Sequence, residues 1–196
     1  LLSVFMGAVI TLQTAANMDS PLLPVETVGY ITRQSTILEF SPTIISLILA
    51  GKIGSNIASE VGTMRVTEQI DALEIMGVNS LGYLVLPKVV AALITFPVIV
   101  ILSMLLSILG GLLAAVQSGL CSQNDYIKGL RYYFYESDVN YGLIKTFFFA
   151  FIITTVASFY GYYTKGGALD VGRSSTQAVV YSSIAILLTN YFLTQL

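Results

Sequence analysis

Residues 51–77 read GKIGSNIASEVGTMRVTEQIDALEIMG, a polar and charged stretch that lies between two strongly apolar parts of the chain. Between Val61 and Gly77 charged residues recur every three positions, and apolar residues fall on the opposite side of the same helical wheel. The charged positions are Arg65, Glu68, Asp71 and Glu74, and the opposite side holds Val66, Ile70, Leu73 and Gly77. A helix so short and so charged cannot cross a bilayer. The pattern therefore predicts an amphipathic helix over 61–77 that lies along the membrane surface and offers its ionic face to a soluble partner; a solvated loop helix is the alternative.

The composition is that of a membrane protein. Hydrophobic residues make up 55% of the 196 residues and charged residues 10%, and the mean hydropathy is +0.81; about a quarter of a soluble domain is charged. The net charge of −2 and the lack of a basic tract argue against a nucleic-acid partner. The single cysteine, Cys121, leaves no disulfide within the chain, and the absence of histidine removes the commonest metal ligand. Leu1 lies inside an apolar run, which we interpret as a trimmed N-terminus and not as a signal peptide.

Charge-free apolar runs mark the membrane spans, because an apolar helix needs about 20 residues to cross a bilayer. They predict an all-α polytopic membrane protein that forms a single transmembrane domain over residues 1–196. Its five transmembrane helices are expected at about residues 1–18, 30–57, 84–117, 144–164 and 175–196. The surface helix of 61–77 then lies between the second and third spans, and a polar loop covers about residues 118–141.

The second span carries an acidic residue and a ridge of small residues. Only the twelve residues 40–51 separate Glu39 from Lys52, so a full crossing must include a charge. Lys52 can snorkel to the surface from the helix end, whereas Glu39 either faces protein or a water-filled cavity as a functional group or reaches the headgroups. Small residues at every fourth position predict the close approach of another helix, from the same chain or from a second copy. The ridge comprises Ser46, Ala50, Gly54, Ala58 and Gly62.

The sequence lacks the residue sets of common catalytic and metal sites. Without histidine no Ser–His or Cys–His pair can form, no Gly-x-Ser-x-Gly motif occurs, and residues 46–53 depart from the phosphate-binding loop pattern. Acidic residues near the surface helix spread around it with Arg65 among them, which disfavours a divalent-cation cage. These acids are Glu60, Glu68, Asp71 and Glu74. The residues therefore predict neither an enzyme nor a metal site.

Residues 51–80 closely resemble the signature of the MlaE/YrbE permease family, the membrane subunits of ABC transporters that move lipids between membranes through MCE proteins. A second block, Gly161–Ser183, is similar to the family's stretch that leads into its last span. The residues that match in the first block are Gly51, Gly54, Ser55, Glu60, Gly62, Met64, Arg65, Thr67, Glu68, Gln69, Ile70, Ala72, Leu73, Met76 and Gly77. Those that match in the second are Gly161, Gly166, Gly167, Ala168, Val171, Gly172, Arg173 and Thr176. The resemblance implies that residues 1–196 form one transmembrane permease domain.

The resemblance implies that the surface helix is a cytoplasmic coupling helix that docks into a groove of a separate ABC ATPase subunit. In that case ATP and Mg bind the partner, this chain carries no cofactor, and it is a transport subunit and not an enzyme. The residues expected in this coupling are Glu60, Arg65, Glu68, Gln69, Ile70, Asp71 and Leu73. Arg65, Glu68 and Asp71 are expected to make ionic contacts, with the apolar Ile70 and Leu73 packed behind them. ATP-driven closure is then expected to tilt the second and third spans.

The resemblance also implies a homodimer in the cell inner membrane, multi-pass, whose halves enclose a lipid pocket open toward the periplasm. The positions that match the family's pocket are Ile10, Gln13, Asn17, Met18, Glu39 and Phe40. Apolar members of this set suit acyl chains, and polar members suit a headgroup or water.

The partners that the resemblance implies are an ABC ATPase subunit, a hexameric MCE-domain periplasmic protein, a STAS-domain accessory protein and the phospholipid itself. The implied function is ATP-driven transport of phospholipid or a related lipid between the inner and outer membranes, which bears on outer membrane lipid asymmetry. The polar loop 118–141 is then periplasmic, and its tyrosines form either an interfacial belt or a landing surface for the MCE ring.

Other functions stay open from the residues alone. A secondary transporter would use Glu39 as an ion or proton site, and it would be expected to show inverted repeats, whereas no self-similar halves are seen. A membrane-embedded enzyme acting on lipids is disfavoured by the missing nucleophile–base set. A structural anchor for a soluble complex would not need a charge at membrane depth.

Overall fold

The computed structural model describes residues 1–17, 24, 26–119 and 121–195, and every regular element within them is a helix. The helices are α1 (Leu2–Asn17), α2 (Glu26–Val66), α3 (Gln69–Ile75), α4 (Ser80–Gln117), α5 (Gln123–Arg131), α6 (Glu136–Tyr162) and α7 (Ala168–Thr194). By length and composition α2, α4, α6 and α7 can each cross a membrane, and α1 is a shorter apolar helix. The prediction of an all-α polytopic membrane protein is thus confirmed.

Two stretches differ from the sequence-based expectation. The surface helix over 61–77 is not continuous, because α2 ends at Val66, Glu68 has a φ of 60°, and α3 begins at Gln69. The three-residue charge period runs through this break and conceals it. The polar loop over 118–141 contains α5 and the first residues of α6, and α5 begins where the Ser122 hydroxyl accepts a hydrogen bond from the Asp125 backbone N–H.

Helix α2 is not α-helical throughout. It contains two π-helical turns, Thr36–Phe40 and Ala50–Gly54, which include Glu39 and Lys52 respectively. A π turn inserts an extra residue into a helix and shifts the faces that its side chains occupy, and such turns are frequent at functional sites. The residue types at these positions carry no signal that would have predicted them.

The chain divides into two compact units, and the first comprises Leu1–Ile44 and Val98–Ile144. Within this unit α1 and α5 both pack against the beginning of α2. Glycines bring the backbones together at these contacts. A Cβ atom added at Gly7 would lie 1.7 Å from the carbonyl oxygen of Ser107 in α4, and one added at Gly129 in α5 would lie 2.0 Å from that of Glu26.

The second unit comprises Ile45–Pro97 and Lys145–Leu196. All five members of the small-residue ridge on α2 are buried in this unit. Gly54 faces Ile153 and Ala157 of α6, and a Cβ atom added at Gly161 would lie 2.8 Å from the Ala58 carbonyl oxygen. Gly62, at the other end of the ridge, faces Val171 of α7. The predicted close approach of another helix to this ridge is therefore confirmed, and the ridge packs against both α6 and α7 of the same chain.

Candidate functional site

Residues 65–80, here called the coupling segment, turn the chain from α2 into α3 and then into α4. Glu68 adopts a left-handed conformation at the turn, which costs a residue with a side chain about 1 kcal/mol. Its N–H donates to the carbonyl of Arg65, and its own carbonyl accepts from the N–H of Ala72 at 3.0 Å, in the first turn of α3. The Glu68 side chain is exposed. The turn thus places a carboxylate in solvent at the start of a short helix.

An ion pair crosses the break between α2 and α3. The Arg65 guanidinium donates to the Asp71 carboxylate at 2.5 Å, and it also lies 5.7 Å from the centre of the Tyr162 ring of α6. Both members of the pair are partly exposed. An exposed ion pair contributes at most about 1 kcal/mol, so either side chain can exchange this contact for one with a partner protein at small cost.

Three polar side chains join the end of α3 to α4 and α6. The Glu74 carboxylate accepts hydrogen bonds from the Tyr162 hydroxyl at 2.8 Å and from the Ser80 hydroxyl at 2.9 Å. The two hydroxyl oxygens are themselves 3.0 Å apart. The hydrogen bond from Tyr162, together with that from Ser80, holds the pKa of Glu74 below its usual value. A second link is the ion pair between Glu60 of α2 and Lys88 of α4.

The apolar side of α3 packs into the second unit. Ile70 is completely buried, and Leu73 beside it is half-buried. The buried residues that form one cluster with Ile70 are Ile57, Ala58, Val61, Ala157 and Ala178. They belong to α2, α6 and α7, so Ile70 ties α3 into a buried cluster that is built from three long helices. The prediction that Ile70 lies behind the ionic face is consistent with this position, and contact of these residues with an ATPase stays a prediction.

The solvent-facing side of the coupling segment has an apolar end that the sequence analysis did not single out. Ile75 is 87% exposed and Met76 is 69% exposed, next to Gly77 at a φ of 78°. Gln69 is exposed as well, on the first turn of α3. The available signal was a pair of large apolar residues directly before a turn glycine, outside the three-residue charge period. The exposed surface therefore combines Glu68 and Gln69 at one end of α3 with Ile75 and Met76 at the other.

The residues predicted to face lipid lie in the first unit. On α1 the buried face is formed by small residues, whereas Ile10 is half-buried and Gln13 and Asn17 are exposed. Glu39 is half-buried in the first π turn of α2, and Phe40 beside it is exposed. The structure places α1 against the Glu26–Ser35 part of α2, which leads directly into that π turn. Met18, the sixth predicted member, lies outside the described residues. Lipid contact at these positions stays a prediction.

No group of histidine, cysteine, aspartate or glutamate residues that could hold a metal ion occurs in the part of the chain that the structure describes. The acids of the coupling segment have other partners. Asp71 pairs with Arg65, and Glu74 with two hydroxyl groups. These contacts of Asp71 and Glu74 join α3 to α2, α4 and α6.

Comparisons with known proteins agree with the resemblance at residues 51–80 and 161–183. The family model described as Permease MlaE matches residues 1–196. A probable ABC transporter permease protein of Rickettsia bellii is 40% identical over 192 residues, which are 98% of this chain and 74% of the relative. A probable ABC transporter permease protein of Synechocystis is 34% identical, over 98% of this chain and 73% of the relative. The chloroplastic Arabidopsis thaliana protein TRIGALACTOSYLDIACYLGLYCEROL 1 is 30% identical, over 98% of this chain and 55% of the relative.

Proposed function

The chain belongs to the MlaE permease family, and we infer from this premise and from the coupling segment that it is the membrane subunit of an ATP-driven lipid transporter. A separate ABC ATPase, which binds ATP and Mg, docks on the exposed side of residues 65–80. The lipid is a phospholipid or a related lipid, carried between the inner and outer membranes with the help of an MCE-domain protein. Two copies of the chain form the transport unit in the inner membrane.

The observation that carries this proposal is the combination of an exposed end and a buried anchor in one short helix. Ile75 and Met76 expose large apolar side chains at one end of α3, and the Glu68 carboxylate is exposed to solvent at the other end. Apolar anchors with a polar rim are the usual composition of a protein-binding site. On the other side of the same helix Ile70 is fully buried. A partner bound to the exposed end of α3 is therefore connected, through this helix, to the buried contact of Ile70.

The contacts of the coupling segment give a route from a docked ATPase to the membrane spans. A displacement of α3 acts on α2 through the Arg65–Asp71 pair and on α6 and α4 through the bonds from Tyr162 and Ser80 to Glu74. The buried contact of Ile70 acts on α2, α6 and α7. Packed helices respond to such a displacement by small shear or hinge movements. ATP-driven closure of the partner would thus move several spans at once.

The lipid part of the proposal is supported by the family resemblance and by the large apolar side chains exposed along the candidate spans. Ile10 and Phe40 are proposed to contact acyl chains, and Gln13, Asn17 and Glu39 a headgroup or water. One relative is named after trigalactosyldiacylglycerol, a glycolipid, which agrees with a lipid as the transported molecule. Photoreactive residues at positions 10 and 40 should then capture phospholipid, and the matched control is position 151, where Phe151 is exposed on α6. Equal capture at all three positions would contradict the pocket.

Docking is tested by purifying the chain with its ATPase subunit and measuring both the amount of ATPase retained and lipid-stimulated ATP hydrolysis. Glu68→Lys and Ile75→Ser are each expected to lower retention about tenfold or more, as is common for central interface residues. Glu136→Lys is the matched control, because Glu136 is an exposed acid on α6 outside the coupling segment. If both coupling variants retain the ATPase as well as this control does, the docking assignment is wrong.

A second candidate function, ion- or proton-coupled secondary transport, is favoured by one observation. Glu39 is half-buried and lies within a π turn of a candidate span, a combination that is frequent at functional sites. This candidate differs from the first in its energy source, which is an ion gradient in place of ATP.

A further inference from the structure

A cavity of about 460 Å³ lies in the first unit, at the beginning of α2. The described residues that line it are Pro24, Glu26, Thr27, Tyr30, Tyr132 and Tyr133. The last two follow α5 directly, and the others belong to or precede the first turns of α2. This volume is within the range of about 300 to 1,000 Å³ that is usual for small-molecule sites. None of the residues predicted from the sequence to bind lipid belongs to this set.

Three aromatic rings form walls of the cavity in different planes. The rings of Tyr30 and Tyr132 are perpendicular, at 90° and with centroids 6.3 Å apart. The rings of Tyr132 and Tyr133 meet at 82° with centroids 4.5 Å apart. Tyr133 has a φ of 47°, a left-handed conformation that an aromatic residue adopts only at a cost. The perpendicular rings of Tyr30 and Tyr132 can serve as two adjacent walls of an aromatic cage, the arrangement by which proteins recognise ammonium groups through cation–π attraction, and Tyr133 packs edge to face against Tyr132.

The charges at the cavity are arranged as a pair of opposite sign. Glu26 lines the cavity with a carboxylate, and the Lys128 ammonium group on α5 lies 3.6 Å from its Oε1 atom. Lys128 also lies 3.7 Å from Asp125, so its charge is shared between two acids. All three side chains are partly exposed, and a ligand can therefore reach them. The Glu26 carboxylate beside the rings favours a cation, and the Lys128 ammonium group on the neighbouring helix α5 favours an anion on the same ligand.

Arg33 fixes the walls in place. It is only 2% exposed and donates to the carbonyls of Leu130 at 2.6 Å, Tyr132 at 3.1 Å and Tyr133 at 3.0 Å. Its guanidinium also lies 5.1 Å from the centre of the Tyr30 ring. The positive charge of Arg33 is therefore directed at three carbonyl oxygens near the C-terminus of α5, which carries partial negative charge. A main chain held in this way loses little freedom when a ligand binds, which favours affinity.

We propose that this cage binds the headgroup of a zwitterionic phospholipid, with the choline or ethanolamine ammonium against the rings of Tyr30 and Tyr132 beside Glu26, with Tyr133 supporting Tyr132, and with the phosphate at Lys128. The lipid surface is the source of the ligand because α2 is a candidate span whose first turn carries Glu26, so the cavity lies where this span meets water. The exposed Tyr132 and Tyr133 side chains are typical of the same interface. Binding at the cage does not require ATP-driven transport, and it can be present or absent whatever the function of the coupling segment.

The test uses the full chain in nanodiscs of phosphatidylglycerol, which has no ammonium group. Water-soluble glycerophosphocholine is titrated, and binding is measured by calorimetry and by saturation-transfer NMR of its trimethylammonium protons. Glycerophosphoglycerol, which lacks the ammonium, and choline, which lacks the phosphate, are titrated in parallel. Glycerophosphocholine is expected to bind most tightly, choline about fivefold more weakly, and glycerophosphoglycerol more weakly than choline. Equal binding of glycerophosphocholine and glycerophosphoglycerol would overturn the cage, and choline as tight as glycerophosphocholine would overturn the place of the phosphate.

Variants locate the binding site. Tyr133→Ala and Glu26→Gln are each expected to weaken glycerophosphocholine binding about fivefold to tenfold, whereas Tyr133→Phe keeps the ring and stays within about twofold. Lys128→Ala is expected to weaken binding of glycerophosphocholine but not of choline. The matched control is Tyr135→Ala, because Tyr135 is exposed in the same segment and does not line the cavity. Thermal unfolding in the same nanodiscs reports whether each variant is folded. If folded Tyr133→Ala binds as the unchanged chain and Tyr135→Ala do, the proposal is wrong.

Discussion

The substitution Ile70→Ala is expected to detach α3 from the rest of the second unit without unfolding the chain. Ile70 is fully buried among residues of three long helices, and truncation of such a side chain costs about 2 to 4 kcal/mol. Helix α3 has only seven residues, which is too short for stability on its own. The half-exposed Arg65–Asp71 pair contributes at most about 1 kcal/mol. The hydrogen bonds of the exposed Glu74 carboxylate compete with water, so these polar links do not replace the lost apolar contact.

A loss of about 3 kcal/mol raises the fraction of molecules with a detached α3 by a factor of roughly 150, since 1.4 kcal/mol corresponds to a factor of ten. Hydrogen exchange measured by mass spectrometry should show this directly. The peptide that covers residues 69–76 is expected to lose protection by about that factor, whereas peptides from the middle of α6 change far less. With the ATPase present, Ile70→Ala is expected to leave ATP hydrolysis largely in place and to reduce lipid transport, because the exposed end of α3 still binds but no longer moves the spans.

Ile75→Ala is the matched control for the exchange measurement on the chain without its ATPase. Ile75 lies on the same short helix and is 87% exposed, so its truncation removes little buried contact. Protection of residues 69–76 should then stay as in the unchanged chain. If the exchange rates of Ile70→Ala also stay unchanged, the coupling segment is held by something other than the Ile70 contact, and the proposed route of force through it is refuted.

Three further results are expected. Gly129→Ala should lower the unfolding temperature by several degrees, because its Cβ atom would lie 2.0 Å from a backbone oxygen, whereas Gly172→Ala meets nothing within 4 Å and should be neutral or stabilising. Because the pKa of Glu74 is lowered in the folded chain, its contribution to stability is present above the ordinary carboxyl pKa and is lost as the pH falls through the lowered pKa. Hydrogen exchange of residues 74–80 should therefore accelerate only in acid. Tyr162→Phe removes one of the hydrogen bonds that lower this pKa, so it should move the acceleration to higher pH. Lipid transport by Glu39→Gln in proteoliposomes should still require ATP and should not depend on a proton gradient. If transport by the unchanged chain depends on a proton gradient and Glu39→Gln abolishes that dependence, secondary transport is favoured.

Much of the helical layout follows from the sequence, because the length of an apolar run is set by the thickness of a bilayer. The charge-free runs located the cores of α4, α6 and α7. The small residues on α2 also predicted close helix packing, and the structure adds that α6 and α7 are the partners. Both inferences depend on one segment and its solvent, and not on contacts between distant parts of the chain.

The features that the sequence did not reveal depend on distant contacts. Glu74 and Tyr162 are 88 positions apart, and no local pattern connects a carboxylate to that hydroxyl. No local pattern marks Arg33 as buried, and it is buried because α5 and the two residues that follow it supply carbonyl oxygens for its guanidinium. The left-handed Glu68 is concealed for a different reason: the charge period continues through the turn, and a period alone does not show whether a helix is continuous.

The contacts of the coupling segment separate partner choice from the transmission of force. Its ionic contacts are partly exposed, so salt screens them and a partner can replace them at small cost. Ile70, by contrast, is removed from solvent, and its contact depends on apolar burial, which moderate salt hardly changes. If an ATPase docks on this surface as proposed, the charges around Glu68 can vary with the partner, while Ile70 must stay apolar and of similar size. On this reasoning a change of partner specificity requires new charges on the exposed side, and loss of coupling requires only one smaller side chain on the buried side.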